Sequence, residues 1–421
     1  MVSVILGGQL FDGEEPHLKQ NGALVVEDNR ILEVIYEKNI TKKELENKYP
    51  EAEFIELDGQ VVMPGLIDCH IHMDLHGMPD TFNENFVEDK LRSIRASRAM
   101  EETLNGGFTT VRNCGSVNWI DMSVKEAVRT GIINGPRILT SGKILSITCA
   151  GSEYFDGLYR EADGTDGFRH AAREQLKKGA DLLKVMATGA IMNPGGVPGA
   201  TQPDEEELRA IVREAKKLDK KVAAHAHGAE GIKNAIRAGV DTIEHGTFAD
   251  EEALDMMLEH EIYLVPTLSP DYYMSKYGKK GGVAPFMVDK LKKKREARLK
   301  TVARALKMGV KVASGSDAGT PYNHHDDNAS EMKVLVDEGL MTSREALISG
   351  TKTAAEACGL ADEIGTIARG NLADIIAVEG NPLEDITVLS DPSNITFVMK
   401  DGAVVKDQRN ENKGARKGMI A

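Results

Sequence analysis

The chain has two textures. Residues 1–62 carry short runs in which apolar and polar positions alternate, VSVILGG, GALVVEDNRILEVIY, AEFIELDG and QVVMPG, separated by Asp, Asn and Gly. Period-two alternation bounded by turn residues predicts β-strands and hairpins. The texture returns near the far end in GTIARGNLADIIAVEG and ITFVMKDGAVVKDQ. Two β-rich flanks predict one small β-sandwich built from residues 1–62 and 363–412. TKKELENKYP is expected to interrupt the first flank as a short helix or loop, and the polar stretch NENKGARKGMIA (410–421) is expected to be loose.

Residues 63–362 read differently. Apolar runs suited to buried strands occur at GLIDCHIH (65–72), FTTVRNC (108–114), PRILTS (136–141), ADLLKVMA (180–187), KVAAHAH (221–227), DTIEHG (241–246), IYLVPTL (262–268) and KVASGSDA (311–318). Helical patterns separate most of them. NENFVEDKLRSIRASRAMEETLNGG repeats apolar positions at three- and four-residue spacing and closes on Gly-Gly. DEEELRAIVREAKKLDK begins acidic and ends basic, matching the helix dipole. Phe286 to Met308 reads as one strong helix, with the basic run DKLKKKREARLK as a solvated face. Eight strands alternating with helices predict an α/β fold, a closed (β/α)8 TIM barrel. Three stretches exceed ordinary connections: SGKILSITCAGSEYFDGLYREADG, IMNPGGVPGATQPD and SPDYYMSKYGKKGG. Each follows the carboxyl end of a strand, where long loops serve as lids.

Composition narrows the partners. With 421 residues and 41% hydrophobic content the chain suits a barrel of roughly 250–300 residues plus a smaller unit. A net charge of −14 argues against nucleic acid and anionic membranes. Cys69, Cys114, Cys149 and Cys358 form no C-x-x-C pair, which suits reduced thiols in a cytoplasmic protein. The N-terminus lacks a basic n-region, and no apolar stretch reaches the ~20 residues of a membrane span.

Six side chains able to hold metal end the apolar runs: His70 and His72 in DCHIH, Lys184 in LLKVM, His225 in AHAHG, His245 in IEHG and Asp317 in GSDAG. His70 and His72 are two apart on a strand and share a face. Lys184 lies inside an apolar run, where an ammonium is costly and a neutral amine is reactive. The carboxyl ends of successive strands are where a barrel gathers its chemistry.

This order, His-x-His, Lys, His, His, Asp, resembles the amidohydrolase superfamily of metal-dependent hydrolases, and the likeness runs from MPGLIDCHIH to GNLADIIAVEGNPL. The resemblance implies two divalent ions, expected to be zinc, and N6-carboxylation of Lys184 by CO2 to give a carbamate that bridges them. It also implies a bridging hydroxide as nucleophile, with Asp317 moving its proton to the leaving nitrogen. GFTTVRNCG, LLKVMATG, AHAHG, IEHG, and GSDAGTP followed by HHDDN and Glu331 are most similar to the imidazolonepropionase-related, prolidase-like group, which includes Xaa-Pro and Xaa-Arg/Lys dipeptidases. His225-Ala-His-Gly lacks the His-x-x-Glu expected of nucleobase aminohydrolases. The implied reaction is cleavage of the amide bond of a dipeptide or N-acyl amino acid. Lactonase, phosphotriesterase and cyclic-amide (imidazolonepropionase-like) activities are the alternatives on the same scaffold. His227 is expected to hold the carbonyl oxygen. Arg112, Asn113, Tyr272, His324 and His325 are candidate substrate contacts, with Tyr273 and Tyr277 as lid residues. Acids at Asp156, Glu161, Asp163, Asp326 and Asp327 point to a cationic substrate side chain. Relatives often assemble, so a homo-oligomer is expected.

Overall fold

A computed structural model describes residues 1–15, 17–20, 22–36 and 40–409. The expected loose tail, 410–421, and residues 410–412 of the expected terminal unit lie outside them. The fold is mixed α/β. Among the described residues no helix is long and apolar enough to cross a membrane.

The middle of the chain builds two parallel ladders. Phe108–Asn113 lies between Leu66–Ile71 and Arg137–Thr140. A six-stranded ladder runs Tyr159–Glu161, Ile144–Ser146, Leu182–Met186, Lys221–Gly228, Thr242–Phe248 and Tyr263–Val265. The expected strand at 311–318 forms no ladder. It threads between the two sheets through isolated parallel bridges, Leu264 with Val312 and Ile71 with Ala318. Its irregularity has a local cause. Asp317 takes φ 54°, and a side chain at Gly315 would meet Val265 at 2.5 Å and His70 at 2.9 Å. On the other side, Asp181 Oδ2 accepts from Thr140 N (2.9 Å) while Asp181 N donates to Thr140 O (2.8 Å). A side chain there replaces part of the backbone ladder.

Helices pack outside these strands and their signals are local. Asp89–Asn105 ends at Gly106. Glu205–Lys216 starts with a capping box between Asp204 and Glu207. The insertion in the first flank is a helix, Lys42–Lys48, capped by Thr41 and Glu44. The single helix expected over Phe286–Met308 is two, Pro285–Lys292 and Arg295–Met308. Its basic run is a solvated face only in part: Lys292, Lys293 and Lys300 are exposed. Lys290 Nζ donates to the carbonyls of Asn193 (2.8 Å) and Gly196 (2.7 Å), Lys294 Nζ to that of Pro198 (3.3 Å), and Arg298 is buried. Lys290 and Lys294 turn inward because the Gly/Pro-rich loop offers them free carbonyls, and Arg298, one turn on, turns inward to Thr247, Thr267 and Asp271.

The chain ends join. Val61–Pro64 pairs antiparallel with Ile375–Val378 in a six-stranded sheet that also holds Ile395–Lys400 and Ala403–Asp407. A four-stranded sheet carries Val2–Leu6, Ala23–Glu27, Arg30–Ile35 and Glu53–Glu56. One buried cluster, including Ile5, Leu24, Ile55, Val62, Ile375 and Phe397, draws on both sheets. At Gly65 the chain leaves this unit for the parallel strands. A Cβ there would lie 2.2 Å from Thr109 Oγ1, so only glycine permits the crossing.

Candidate active site

His70, His72, Lys184, His225, His227, His245 and Asp317 line one cavity at the carboxyl ends of the parallel strands. His70 and His72 follow the two-residue period of their strand, and each Nε2 lies 3.6 Å from Asp317 Oδ1. His70, His245 and Asp317 present donor atoms within 4.8 Å of one another. The His225 and His245 ring centroids are 4.4 Å apart, and those of His70 and His245 are 5.3 Å apart.

Partners behind the ligand candidates fix their orientation. His70 Nδ1 donates to Glu244 Oε2 at 2.6 Å, and His72 Nδ1 donates to the carbonyl of Gly115 at 3.1 Å. His245 Nδ1 meets Thr267 Oγ1 at 2.6 Å, and His227 Nδ1 meets Thr247 Oγ1 at 2.7 Å. Each contact occupies one ring nitrogen and leaves the other for the cavity, the usual arrangement behind metal-ligating histidines. Burial holds His70, His225, His227 and His245 well below the ordinary imidazole range and His72 down at about 4. Neutral imidazole is the form that binds metal. Burial likewise pushes Asp317 up to about 8, against the pull of nearby Lys184.

Two atoms test whether this set fits a metal. Lys184 Nζ and His225 Nε2 are buried and have no hydrogen-bond partner. A buried lysine without an acceptor is expensive. Both residues line the same cavity, so the donor chemistry fits a metal centre better than it fits an empty core.

Glu244 escaped the sequence reading. It is fully buried between His70 and Arg112, whose Nη2 donates to Glu244 Oε1 at 2.8 Å. Burial raises this carboxyl, but Arg112 and His70 overcome that and hold it below the usual range. Alternation should send neighbours Glu244 and His245 to opposite faces. His245 takes φ 72°, which breaks the alternation and lets both serve the site. Thr267 and Asp317, also in the site, have φ 49° and 54°. Such conformations persist where the surroundings over-determine them, and they cluster at functional sites.

Several candidate substrate contacts lie elsewhere. Arg112 does not border the cavity. Its donors go to the Cys69 carbonyl, Thr242 and Glu244. Asn113 accepts from Met73 N and donates to Gly115 O and Asp121, wholly within the core. His325 Nε2 donates to Leu75 O, whereas His324 is exposed and sits against Gly77. Tyr272 packs beside the main core, Tyr273 bonds Asp327, and Tyr277 lies against Tyr322. None of these lines the cavity, nor do Asp156, Glu161, Asp163, Asp326 or Asp327. Glu161 is taken up by Ser152 and Asp163 by Thr148. Motif position places a residue along the chain but does not reveal the direction of its side chain.

All three long loops do reach the cavity. They supply Ile144, Phe155, Leu158 and Tyr159; Ile191, Met192 and Asn193; and Pro270, Asp271 and Met274. Leu291 and Arg298 come from the two helices that follow. Apart from the histidines, Lys184 and Asp317, the wall is mostly apolar.

A strained, histidine-rich cluster with an unpartnered lysine, at the ends of parallel strands, marks a metal-dependent hydrolase. The chain belongs to the amidohydrolase family, whose model matches residues 61–405, and is an enzyme of that class acting on C–N bonds. It is 33% identical to ochratoxinase of Aspergillus niger, over 96% of this chain and 87% of that protein. A prolidase solved with N-methylphosphonate-L-proline is 33% identical with a TM-score of 0.88, covering 97% of this chain and all of that one. A Xaa-Pro dipeptidase solved with methionine in its active site is equally similar, at 33% identity and TM-score 0.88 over 96% and 100% of the two chains.

Proposed function

We propose that the protein is a binuclear, zinc-dependent amidohydrolase that cleaves the amide bond of a dipeptide or N-acyl amino acid. The observation that carries this reading is the Lys184 amine, buried with no acceptor in a cavity lined by five histidines. We read the parallel strands with the 311–318 segment as a closed barrel, residues 63–362, and the two terminal sheets as a β-sandwich of 1–62 and 363–409. On this reading His70, His72, His225, His245, Asp317 and a carboxylated Lys184 would hold the two ions. Bound there, the ions supply a water acidic enough to attack at neutral pH and a positive charge for the scissile carbonyl.

The chain's own residues do the rest. Asp317 sits within reach of His70 and His72 and lines the same cavity. It can therefore accept the water's proton and pass it to the leaving nitrogen. His227 is oriented by Thr247, whose hydroxyl also accepts from Arg298 Nε at 3.1 Å. Arg298 only donates, so the Thr247 hydroxyl proton can go to His227 Nδ1. The ring hydrogen is then on Nε2, where it can stabilise the developing oxyanion.

The wall favours an apolar substrate. Ile144, Phe155, Leu158, Met186, Ile191, Met192 and Met274 would desolvate a Lys or Arg side chain with no free acid to receive it. The relatives solved with a proline analogue and with methionine support the same preference. Metal analysis of protein made with ample zinc and bicarbonate should give about two zinc per chain, and less than one argues against the centre. Lys184→Ala should abolish turnover, with partial rescue by a short carboxylic acid. Full activity without rescue excludes the carbamate. Hydrolysis of lactones or phosphotriesters, but of no amide, displaces the amidase assignment.

A further inference from the structure

We infer that Cys69 and Cys358 form a reversible modification site: hydrogen peroxide converts the two thiols into a disulfide, and closing it loosens the metal centre by shifting His70. The second half rests on the metal-hydrolase reading, and the first does not.

The two sulfurs lie 3.7 Å apart, unbonded, although 289 positions separate them in the chain. Cys69 sits on the strand Leu66–Ile71, one residue before His70, and its side chain packs on the opposite face with Ala354 and Ala355. Its Sγ also lies 3.6 Å from the Ala354 carbonyl. Cys358 is the last residue of the helix Lys352–Cys358, half-buried beside the exposed Gly359. One sulfur is thus near solvent and the other is sealed behind it, as in a pair of reacting and resolving thiols. A hydrogen bond from Cys69, helped by the charge of Arg112, holds the Cys358 thiol below its ordinary range, the direction that favours a nucleophilic thiolate. The other two cysteines meet oxygen: Cys114 donates to the Cys69 carbonyl at 3.7 Å, and Cys149 Sγ lies 3.8 Å from Ser146 Oγ.

The Cys358 sulfur attacks one peroxide oxygen and the O–O bond breaks, giving a sulfenic acid and water. The Cys69 sulfur then attacks Cys358 Sγ. The S–O bond breaks, the hydroxyl leaves with the Cys69 proton as a second water, and the S–S bond forms. Two thiols lose two electrons, and one peroxide is reduced to two waters.

A covalent S–S bond is far shorter than the present contact, so oxidation draws the strand and the helix end together. Cys69 cannot move alone. Its N–H donates to Ser314 O at 3.0 Å, and its carbonyl accepts from Arg112 Nε at 2.5 Å. Arg112 holds Glu244, which holds His70 Nδ1. A pull on Cys69 therefore reaches His70 twice, through the peptide bond and through this chain of hydrogen bonds. Asp317 N donates to His70 O at 2.6 Å, so a second ligand candidate follows.

The test exposes the full-length protein to hydrogen peroxide and digests it without reduction. Mass spectrometry should find the Cys69 and Cys358 peptides linked, free thiols should fall from four to two, and dithiothreitol should reverse both. Competition with a chromogenic chelator should show zinc affinity falling roughly 10- to 100-fold on oxidation, as when support behind a metal ligand is lost. Cys358→Ser should bind zinc as the reduced wild type does and keep that affinity in peroxide. Oxidation without a linked peptide overturns the site. A link that leaves zinc affinity unchanged, or an equal loss of affinity in Cys358→Ser, overturns the coupling to His70. The link is read in the wild type, so the test stands even if the variant does not fold. Zinc binding by neither the reduced nor the oxidised form removes the metal reading, whereas a reversible link in that same protein still supports the modification site.

Discussion

Glu244 shows how one unremarked side chain can govern a site. It orients His70, neutralises Arg112 and accepts from Thr242, all without touching the cavity. Glu244→Gln keeps the shape but removes the charge. Metal affinity should fall roughly 10- to 100-fold, as for other groups behind a metal ligand. Stability should fall by about 3–5 kcal/mol, because Arg112 is left buried without its counter-charge. Zinc titration and denaturant unfolding check both numbers, and unchanged affinity would mean that His70 needs no such support. The ligand candidates were legible in the sequence because metal donors form a small alphabet at the ends of apolar runs. Glu244 was not, because its role depends on the φ 72° at His245 that turns two adjacent side chains inward.

Among the elements, the break between Lys292 and Arg295 matters most. It splits one amphipathic stretch so that Lys290, Lys294 and Arg298 face the loop and cavity. Lys290 holds the loop through two carbonyls that no other side chain takes among the described residues. Lys290→Ala should raise KM several-fold, with little change in kcat or Tm, because the loop contributes wall and not chemistry. Steady-state kinetics with thermal melts check this, and a fall in kcat at constant KM would place the loop in the chemical step. Helix starts such as Asp204 and Thr41 were readable since capping is local. The helix break was not, because the carbonyls that attract the lysines come from a loop nearly a hundred residues away.

At the scale of the molecule, the interior holds carboxylates whose acidity burial has weakened. Asp74 and Glu331 are pushed to about 7 and Asp121 to about 6. Ordinary values are 3.8 for Asp and 4.5 for Glu. The folded state therefore binds more protons than the unfolded chain between these limits, and stability falls as pH rises through that window. For Glu331 the cost is absent below about pH 4.5 and fully present above about pH 7, worth at most ~3 kcal/mol. In metal-stripped protein, the midpoint difference between wild type and Glu331→Gln should move in favour of the variant from pH 4.5 to 7.5. A difference that stays constant with pH would show that Glu331 remains ionised throughout. Such a carboxyl is kept because its position earns something else. Here it accepts from Leu268 N, Ser269 N and Ser269 Oγ, fixing the loop that carries Asp271.

By itself the chain's order of residues determined the alternation of strands and helices, the β-rich ends and the metal-binding alphabet. These rest on periodicity and on side-chain chemistry, which are local. Only the tertiary structure decided that Arg112 faces Glu244, that Lys290, Lys294 and Arg298 turn inward, and that the cavity wall is mostly apolar. Direction and burial depend on what packs against a residue, and those neighbours come from far away in the chain.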